Sequence, residues 1–207
     1  NWQTGAETGT GDQVEDGDDL VSRVQALEIQ DLDAHYRDAV TGEAFELSLV
    51  SFHLDRARPG GQAEFETKGE LNGESFALTG TLSPDLGKGQ AGGESVREAG
   101  NFRLDVLANI GNGAATLKVS GLSGRPSDFI GTDLEISLVS PDPPVLARPW
   151  GRPDLVKWAG ALGSIEFRGN LVADGRSGLS LREGKLEVGT AKNFRLSLSG
   201  SVKDVLR

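Results

Sequence analysis

Residues 61–82 read GQAEFETKGELNGESFALTGTL, and their pattern predicts a β-hairpin. Apolar residues alternate with charged or polar ones over 63–71, and the alternation resumes over 76–82. A period of two places one apolar and one polar face on each strand. The Asn72-Gly73 pair between the two runs tolerates the positive φ angles of a tight type I′ turn. We therefore expect two antiparallel strands that share one apolar face.

Both strands of this hairpin carry a Gly-x-Leu sequence near their end, and similar sequences recur further along the chain. They are found in LKVSGL at 117–122, in IEFRGNL at 165–171 and, as Gly-Ser-Val, in FRLSLSGSV at 194–202. A glycine inside a strand marks a bulge, a bend or a close approach of another backbone. The recurrence predicts one curved sheet of similar units.

Composition excludes several classes of protein. The 207 residues include 31 Asp and Glu against 21 Lys and Arg, a net charge of −10, which argues against nucleic acid as a partner. Without cysteine, neither a disulfide scaffold nor a thiolate metal site can form. The chain lacks methionine and so starts without an initiator, which leads us to expect a segment of a longer protein. No apolar run is long enough to span a membrane.

The remaining strands follow from the same alternation. Val21–Arg37 predicts a long strand with an irregularity near Asp31, and Ala44–Leu54 predicts a strand whose phase shifts at a bulge near Val50. Further strands are predicted at 102–110, 115–119, 134–138, 165–171, 179–188 and 194–202. The fold class is therefore mainly β, a curved antiparallel sheet or β-groove of about ten strands.

Other segments interrupt the strands. Residues 1–20 are acidic and have too few apolar side chains to offset their ordering entropy by burial, which predicts a disordered linker. A calcium loop is the alternative, but the spacing of the aspartates fails for it. Residues 83–100 predict a loop; their G-x-G-x-x-G match at 87–92 lacks the strand and helix of a dinucleotide site. The four prolines at 141, 143, 144 and 149 end regular structure, and one short helix is predicted from Pro153 to Gly163. Its apolar face comprises Leu155, Trp158, Ala159 and Leu162.

No catalytic or metal-binding pattern is present, so we expect a protein that is not an enzyme and needs no cofactor. The two histidines, His35 and His53, each lie in a predicted strand, and neither a nucleophile motif nor a zinc motif accompanies them. An amphipathic sheet leaves two possibilities: a closed sandwich, or an open trough whose apolar side binds a ligand such as lipid acyl chains.

Two long runs carry a resemblance to a known family. LEIQDLDAHYRDAVTGEAFELSLVSFHL with FETKGELNGESFALTGTL, and then DLEISLVSPD, GRPDLVKWAGALG and SIEFRGNLVADGRSGLSLREGKLEVGTAKNFRLSLSGSV, resemble the AsmA-like bacterial envelope proteins. That family is related to TamB and to the bridge-like lipid transfer proteins. The resemblance covers about 21–202, as one β-groove region or as two repeated modules near 21–125 and 126–202, with 203–207 as a C-terminal tail.

The resemblance implies a periplasmic protein that carries phospholipid in an apolar β-groove and supports outer-membrane assembly. The family's transmembrane helix is absent from this chain, so the resemblance places an inner-membrane anchor in the parent protein, outside this segment. Alternation, rather than the resemblance, predicts the residues that line the groove: Phe65, Leu71, Phe76, Leu78, Phe102, Leu104, Val106, Leu117, Ile165, Phe167, Phe194, Leu196 and Leu198.

Two other functions fit the same pattern. A structural or adhesin-like β module would close its apolar faces against each other. An assembly factor would bind unfolded outer-membrane strands by adding them to an open sheet edge. The first alternative predicts a dry core without lipid, whereas the second needs the same open apolar sheet as the groove.

Overall fold

The structure is a computed structural model that describes residues 25–37, 44–57, 61–84, 101–124, 129–173, 178–190 and 194–206. Its ten strands form one antiparallel sheet in which every strand pairs with its neighbours in sequence, from β1 at one edge to β10 at the other. The strands are β1 Ala26–Arg37, β2 Ala44–Arg56, β3 Ala63–Leu71, β4 Glu74–Pro84, β5 Phe102–Ile110, β6 Ala115–Ser123, β7 Asp133–Ser140, β8 Ile165–Ala173, β9 Leu179–Thr190 and β10 Phe194–Leu206.

This architecture confirms the predicted fold class, a mainly β antiparallel sheet of about ten strands. The sheet is open, because β1 and β10 are not paired with each other. Pairing is continuous between β6 and β7, so the two predicted modules belong to one sheet. β10 extends to Leu206, into the stretch 203–207 that the sequence predicts as a tail. The predicted acidic linker at 1–20 and the glycine motif at 87–92 lie outside the described residues.

The β3–β4 hairpin has the predicted turn. Leu71 pairs with Glu74, which leaves Asn72 and Gly73 as a two-residue loop with φ angles of 49° and 77°. Positive φ at both positions is the requirement of a type I′ turn, and its twist matches that of the flanking strands. The equivalent β5–β6 turn also has positive φ, at Gly111, Asn112 and Gly113.

The phase shift predicted in the first two strands is also present. Asp31 has a φ of 51°, and the β2–β3 register shifts by one residue between Leu49 and Ser51. Because a one-residue slip moves every following side chain to the other face, the two irregularities must match. They do, since Gln30 pairs with Ser51 and Leu32 with Leu49, which places Asp31 opposite Val50.

Two helices connect β7 to β8: α1, Pro144–Ala147, and α2, Pro153–Leu162, with a 3₁₀ turn Arg148–Trp150 between them. The predicted helix is confirmed as α2, and Gly163 follows it with a φ of 84°. The prediction that the prolines end regular structure was wrong for α1. Proline has no N–H to donate, but the first turn of a helix leaves its N–H groups unpaired in any case. Pro144 therefore begins a helix.

The connecting segment, residues 141–163, runs along the strand ends at one border of the sheet, which we call the hairpin rim. The hairpin rim is the side on which the β1–β2, β3–β4, β5–β6 and β9–β10 hairpins turn. Val145 is fully buried beside Gly111 of the β5–β6 turn, and Arg148 Nη1 lies 3.2 Å from Glu74 Oε2 at the start of β4. The ring of Trp150 meets that of Phe45 in β2 edge-on, with centroids 6.0 Å apart.

The Asn72 side chain connects the β3–β4 turn to β2 and to the connecting segment, so we expect it to contribute to stability beyond the turn itself. Its Oδ1 accepts a hydrogen bond from the backbone N–H of Glu46 at 2.7 Å, and its Nδ2 donates to the carbonyl oxygen of Pro149. We expect Asn72→Gly, which keeps the turn but removes these bonds, to lower the free energy of unfolding by about 1–3 kcal/mol in urea titrations. The matched variant Asn112→Gly, whose amide has one 3.3 Å contact with Ser75 Oγ, should change it by less than about 0.5 kcal/mol. Equal losses in the two variants would contradict this role.

Candidate functional site

The strand registers place the apolar side chains of neighbouring strands opposite each other on one side of the sheet, the apolar face. Residues paired across antiparallel strands project to the same side. Leu82 pairs with Leu104, Val106 with Val119, and Leu138 with Phe167. The same relation extends through every strand, so one continuous apolar face spans the whole sheet from β1 to β10.

All thirteen residues predicted to line a groove fall on the apolar face in this register. Those in β3 to β8 have half-buried side chains, whereas Leu196 and Leu198 in β10 are exposed. The backbone of Phe194 pairs with that of Thr190 and continues the same register. The prediction missed further members of the face because it used only the clearest runs. These members, which continue the same alternation, include Leu47, Leu49, Phe52, Leu54, Leu82, Ile110, Val119, Leu134, Ile136, Leu138, Leu171, Leu181, Leu186 and Val188.

The apolar face has no second layer over it among the described residues, because the strands form a single sheet. The buried apolar residues of the described ranges are few and mostly small: Ala63, Ala108, Ala115, Val145, Ala159, Leu179 and Val188. The large side chains between them keep part of their surface accessible. A closed sandwich would bury these side chains between two packed sheets about 10 Å apart. The described strands form instead an open apolar surface.

Glycines on the apolar face lie beneath large apolar side chains, mostly of neighbouring strands. At Gly80, an added Cβ would lie 2.6 Å from Cζ of Phe65, its partner across the β3–β4 pair. At Gly69 it would lie 3.1 Å from Cζ of Phe76. At Gly169 it would lie 2.8 Å from Cδ1 of Leu181 in β9 and 3.2 Å from Cζ of Phe167 in its own strand. The recurring glycine that the sequence analysis identified therefore marks a close approach, as such glycines commonly do.

The opposite side of the sheet, the polar face, carries alternating charges joined by short ion pairs. Lys68 Nζ lies 2.6 Å from Glu66 Oε1 within β3, and Lys185 Nζ lies 2.7 Å from Glu187 Oε1 within β9. Glu187 also pairs with Arg195 in β10, the edge strand. Isolated surface pairs contribute little to stability. The pair that crosses strands nevertheless connects the edge strand to the rest of the sheet.

Hydrogen bonds from Lys185 and then Arg195 lower the pKa of Glu187 from 4.5 to about 2. A carboxylate whose pKa is lower in the folded state stabilises that state above the unfolded pKa, and this contribution is lost as pH falls from 4.5 towards 2. We therefore expect protection of the β10 amides against hydrogen exchange, corrected for intrinsic rates, to fall about two- to fivefold over this pH range. Glu187→Gln should show the lower protection already at neutral pH.

Glu66→Gln is the control for this prediction. The pKa of Glu66 is also lowered, mainly by a hydrogen bond from Lys68. Both residues belong to β3, so this ion pair connects no two strands. The control should leave β10 protection unchanged. Unchanged protection in Glu187→Gln at neutral pH would show that the ion pair does not hold the edge strand.

The described ranges contain no cluster of three or more His, Asp or Glu side chains that could hold a metal ion. His35 Nδ1 lies 3.9 Å from Glu46 Oε1, with both side chains about 70 % exposed or more. His53 is an exposed residue of β2 on the polar face, the same side as Asp55 two positions later. In the part of the chain that the structure covers, no helix has the length and apolar character needed to cross a bilayer.

One prediction about the helices was wrong. The sequence placed Trp158 on the apolar side of α2 with Leu155, Ala159 and Leu162, but its side chain is 64 % exposed. Ala159 is buried, and Leu155, Val156 and Leu162 are half-buried. The helix therefore packs through a face rotated away from Trp158. The exposed Trp150, which precedes the helix, was also not predicted as a functional residue.

The fold and this surface define a class of protein: a single open antiparallel meander with one apolar and one polar face, and with helices along one rim. The chain matches no protein-family model, no curated protein and no solved structure at a significant level.

Proposed function

We propose that the apolar face binds the acyl chains of phospholipids, without catalysis. The chain would then be a segment of a periplasmic lipid-transfer or outer-membrane assembly protein, anchored to the inner membrane by a part outside this segment. The continuous apolar face on an open sheet carries this proposal. It is also what the resemblance to the AsmA-like proteins leads one to expect.

The dimensions of the apolar face support an acyl-chain ligand. Ten strands about 4.8 Å apart span roughly 45 Å, and a nine-residue strand is about 30 Å long. An acyl chain of one leaflet occupies about 15 Å, half of a bilayer's hydrocarbon core. A surface of this size exceeds the few hundred Å² that soluble monomers ordinarily leave apolar. Several acyl chains could therefore lie side by side on it.

The chemistry of the lining also favours lipid over a polar ligand. Its side chains are mainly Leu, Val, Ile, Phe and Ala, the charged Arg56 and Glu74 lie only at strand ends, and polar positions such as Thr67 and Ser140 are buried. Thr67 Oγ1 donates to the carbonyl oxygen of Ser51 at 2.9 Å, and Ser140 Oγ donates to that of Ala114 at 3.3 Å. These hydroxyls are therefore engaged within the protein. Acyl chains need only apolar contact, so such a face suits them.

Native mass spectrometry with lipid extraction, applied to the chain expressed in the periplasm, tests the proposal. Phospholipid retained through purification is the expected result. A lipid-free protein that unfolds cooperatively and has a compact hydrodynamic radius would overturn it. That result would instead favour the structural or adhesin-like module, in which apolar surfaces close on one another.

A second candidate function rests on the sheet edges. β1 and β10 each pair with one neighbour. They carry several of the large apolar residues that are exposed: Leu27, Leu32, Tyr36, Leu196, Leu198 and Val202. An open edge offers unpaired N–H and C=O groups to an added strand. An assembly factor would use these edges to hold unfolded outer-membrane strands. Binding of such peptides by lipid-free protein, lost when proline replaces an edge residue such as Ser197, would support it.

A further inference from the structure

The Phe residues of the strands and the Tyr and Trp residues occupy different parts of the structure. The Phe side chains of β2, β3, β4, β5 and β8 are half-buried on the apolar face. The Tyr and Trp side chains that the structure describes are instead on the hairpin rim and mostly exposed: Tyr36 61 %, Trp150 61 % and Trp158 64 %. Tyr and Trp differ from Phe in having an O–H or N–H beside a large apolar body, which suits a boundary between water and an apolar phase.

These rim aromatics connect to the apolar face. Tyr36 stacks on Phe45 with ring centroids 6.4 Å apart, and Trp150 contacts the same Phe45 edge-on. Phe45 pairs with Tyr36 at the rim end of β1 and β2, next to Ala34 and Leu47 on the apolar face. An apolar path therefore extends from the face to the exposed rings at this corner of the rim.

The charge of the rim differs from that of the chain. Residues 141–163 contain three cationic and two acidic residues, a net charge of +1, whereas the whole chain carries −10. Arg148, Arg152 and Lys157 are all exposed in the same segment as Trp150 and Trp158, and Arg37 is exposed at the rim end of β1. The connecting segment is therefore weakly basic within an acidic chain, and Arg148 pairs there with Glu74 and Asp142, and Arg152 with Asp154.

We propose that the hairpin rim is a membrane-contact surface that rests in the headgroup region of an anionic bilayer, with Trp150, Trp158 and Tyr36 inserted beside the acyl chains. Exposed Trp and Tyr with interspersed Arg and Lys are the features that place a protein surface at a bilayer interface. The inference rests on the proposed lipid-binding function for one point only, the direction in which an extracted acyl chain would move: past Phe45 onto the apolar face.

Brominated phospholipids test the inference, because bromine quenches tryptophan fluorescence only at short range. Trp2→Phe leaves Trp150 and Trp158 as the only tryptophans, whose fluorescence is excited selectively at wavelengths above the tyrosine absorption band, and adding Trp150→Phe or Trp158→Phe isolates each one. With equimolar phosphatidylglycerol and brominated phosphatidylcholine vesicles, we expect each tryptophan to lose roughly half or more of its fluorescence, as insertion at the interface requires. Absence of quenching at both positions would overturn the proposal.

Vesicle co-sedimentation supplies the second measurement. Trp150→Ala with Trp158→Ala should weaken binding roughly tenfold, the effect of about 1.4 kcal/mol. Arg152→Gln with Lys157→Gln should reduce the preference for phosphatidylglycerol over phosphatidylcholine and its dependence on salt. Val50→Ala removes an exposed apolar side chain in the middle of β2, away from the rim, and should leave binding unchanged. Equal losses in this control would contradict a specific contact surface.

Other outcomes separate this inference from its alternatives. A dimer that dissociates in the double tryptophan variant, without quenching by vesicles, would assign the rim to contact between copies of the chain. Loss of vesicle binding in that variant while the purified protein still retains phospholipid would support the rim and leave the groove intact. Vesicle binding by a protein that never retains lipid would support the membrane contact and overturn only the proposed lipid-binding function.

Discussion

Replacing Leu78 and Leu104 together by glutamate is expected to lower the phospholipid retained by the purified protein by at least about tenfold, because an unpaired carboxylate among acyl chains is costly. Both leucines lie on the apolar face of central strands, β4 and β5, and both are half-buried. They are not direct partners, since Leu78 pairs with Ala108 and Leu104 with Leu82, so the new charges avoid the closest repulsion. Native mass spectrometry and lipid extraction measure the effect.

The matched control is Thr79→Glu with Asn109→Glu. These residues belong to the same two strands but project from the polar face, and both are exposed. They introduce the same number of charges, so total charge and expression change in the same way. We expect this variant to retain lipid as the parent does, and circular dichroism must show that both variants fold. Equal lipid in the two folded variants would exclude the apolar face as the lipid-binding surface.

Much of the sheet could be predicted because strand period and turn chemistry are local. Asn72-Gly73 fixes its hairpin through φ angles alone, and the shifts at Asp31 and Val50 were visible as breaks in an otherwise regular alternation. A meander joins each strand to the next, so local pairing also determines the order of the whole sheet. That is why the apolar face could be listed before its register was known.

The predictions that were wrong concern features that depend on contacts between distant parts of the chain. Helical periodicity groups Trp158 with Leu155 and Leu162, but packing of the segment on the rim decides which of two overlapping faces is buried. Likewise, proline is compatible both with the end of a strand and with the first turn of a helix, and its type alone did not show that Pro144 begins a helix. Val145 makes that helix stable by packing against a turn that lies more than thirty residues earlier in the chain.

The role of the recurring glycines could be predicted only in part from the sequence. Their recurrence predicted a bulge, bend or close approach; the structure shows close approaches at Gly69, Gly80 and Gly169, and register shifts at Gly169 and beside Gly200. The identity of the neighbour could not be read from the pattern, because the ring that covers Gly80 belongs to Phe65 in the preceding strand. Once the register is known, Phe65 and Gly80 are seen to be direct partners. The glycine leaves space in which an aromatic side chain can lie flat on the apolar face.

Gly80→Ala is therefore expected to be strongly destabilising, by about 2–4 kcal/mol, for the addition of a single methyl group. The new Cβ would lie 2.5 Å from the carbonyl oxygen of Asp105 and 2.6 Å from Cζ of Phe65, both well inside van der Waals contact. The ring can move only by leaving its position on the sheet, and the carbonyl belongs to the β5 backbone. Urea-induced unfolding followed by circular dichroism measures the loss.

Gly200→Ala is the control, since Gly200 is also a strand glycine on the apolar face and an added Cβ there meets nothing within 4 Å. Because alanine restricts the unfolded chain more than glycine does, this variant should be neutral or more stable by up to about 1 kcal/mol. A double variant that adds Phe65→Ala to Gly80→Ala separates the two clashes. If the ring contributes, the double variant should lose about 1–2 kcal/mol less than the sum of the two single losses. A Gly80→Ala protein as stable as Gly200→Ala would show that the sheet can open at Gly80 without loss.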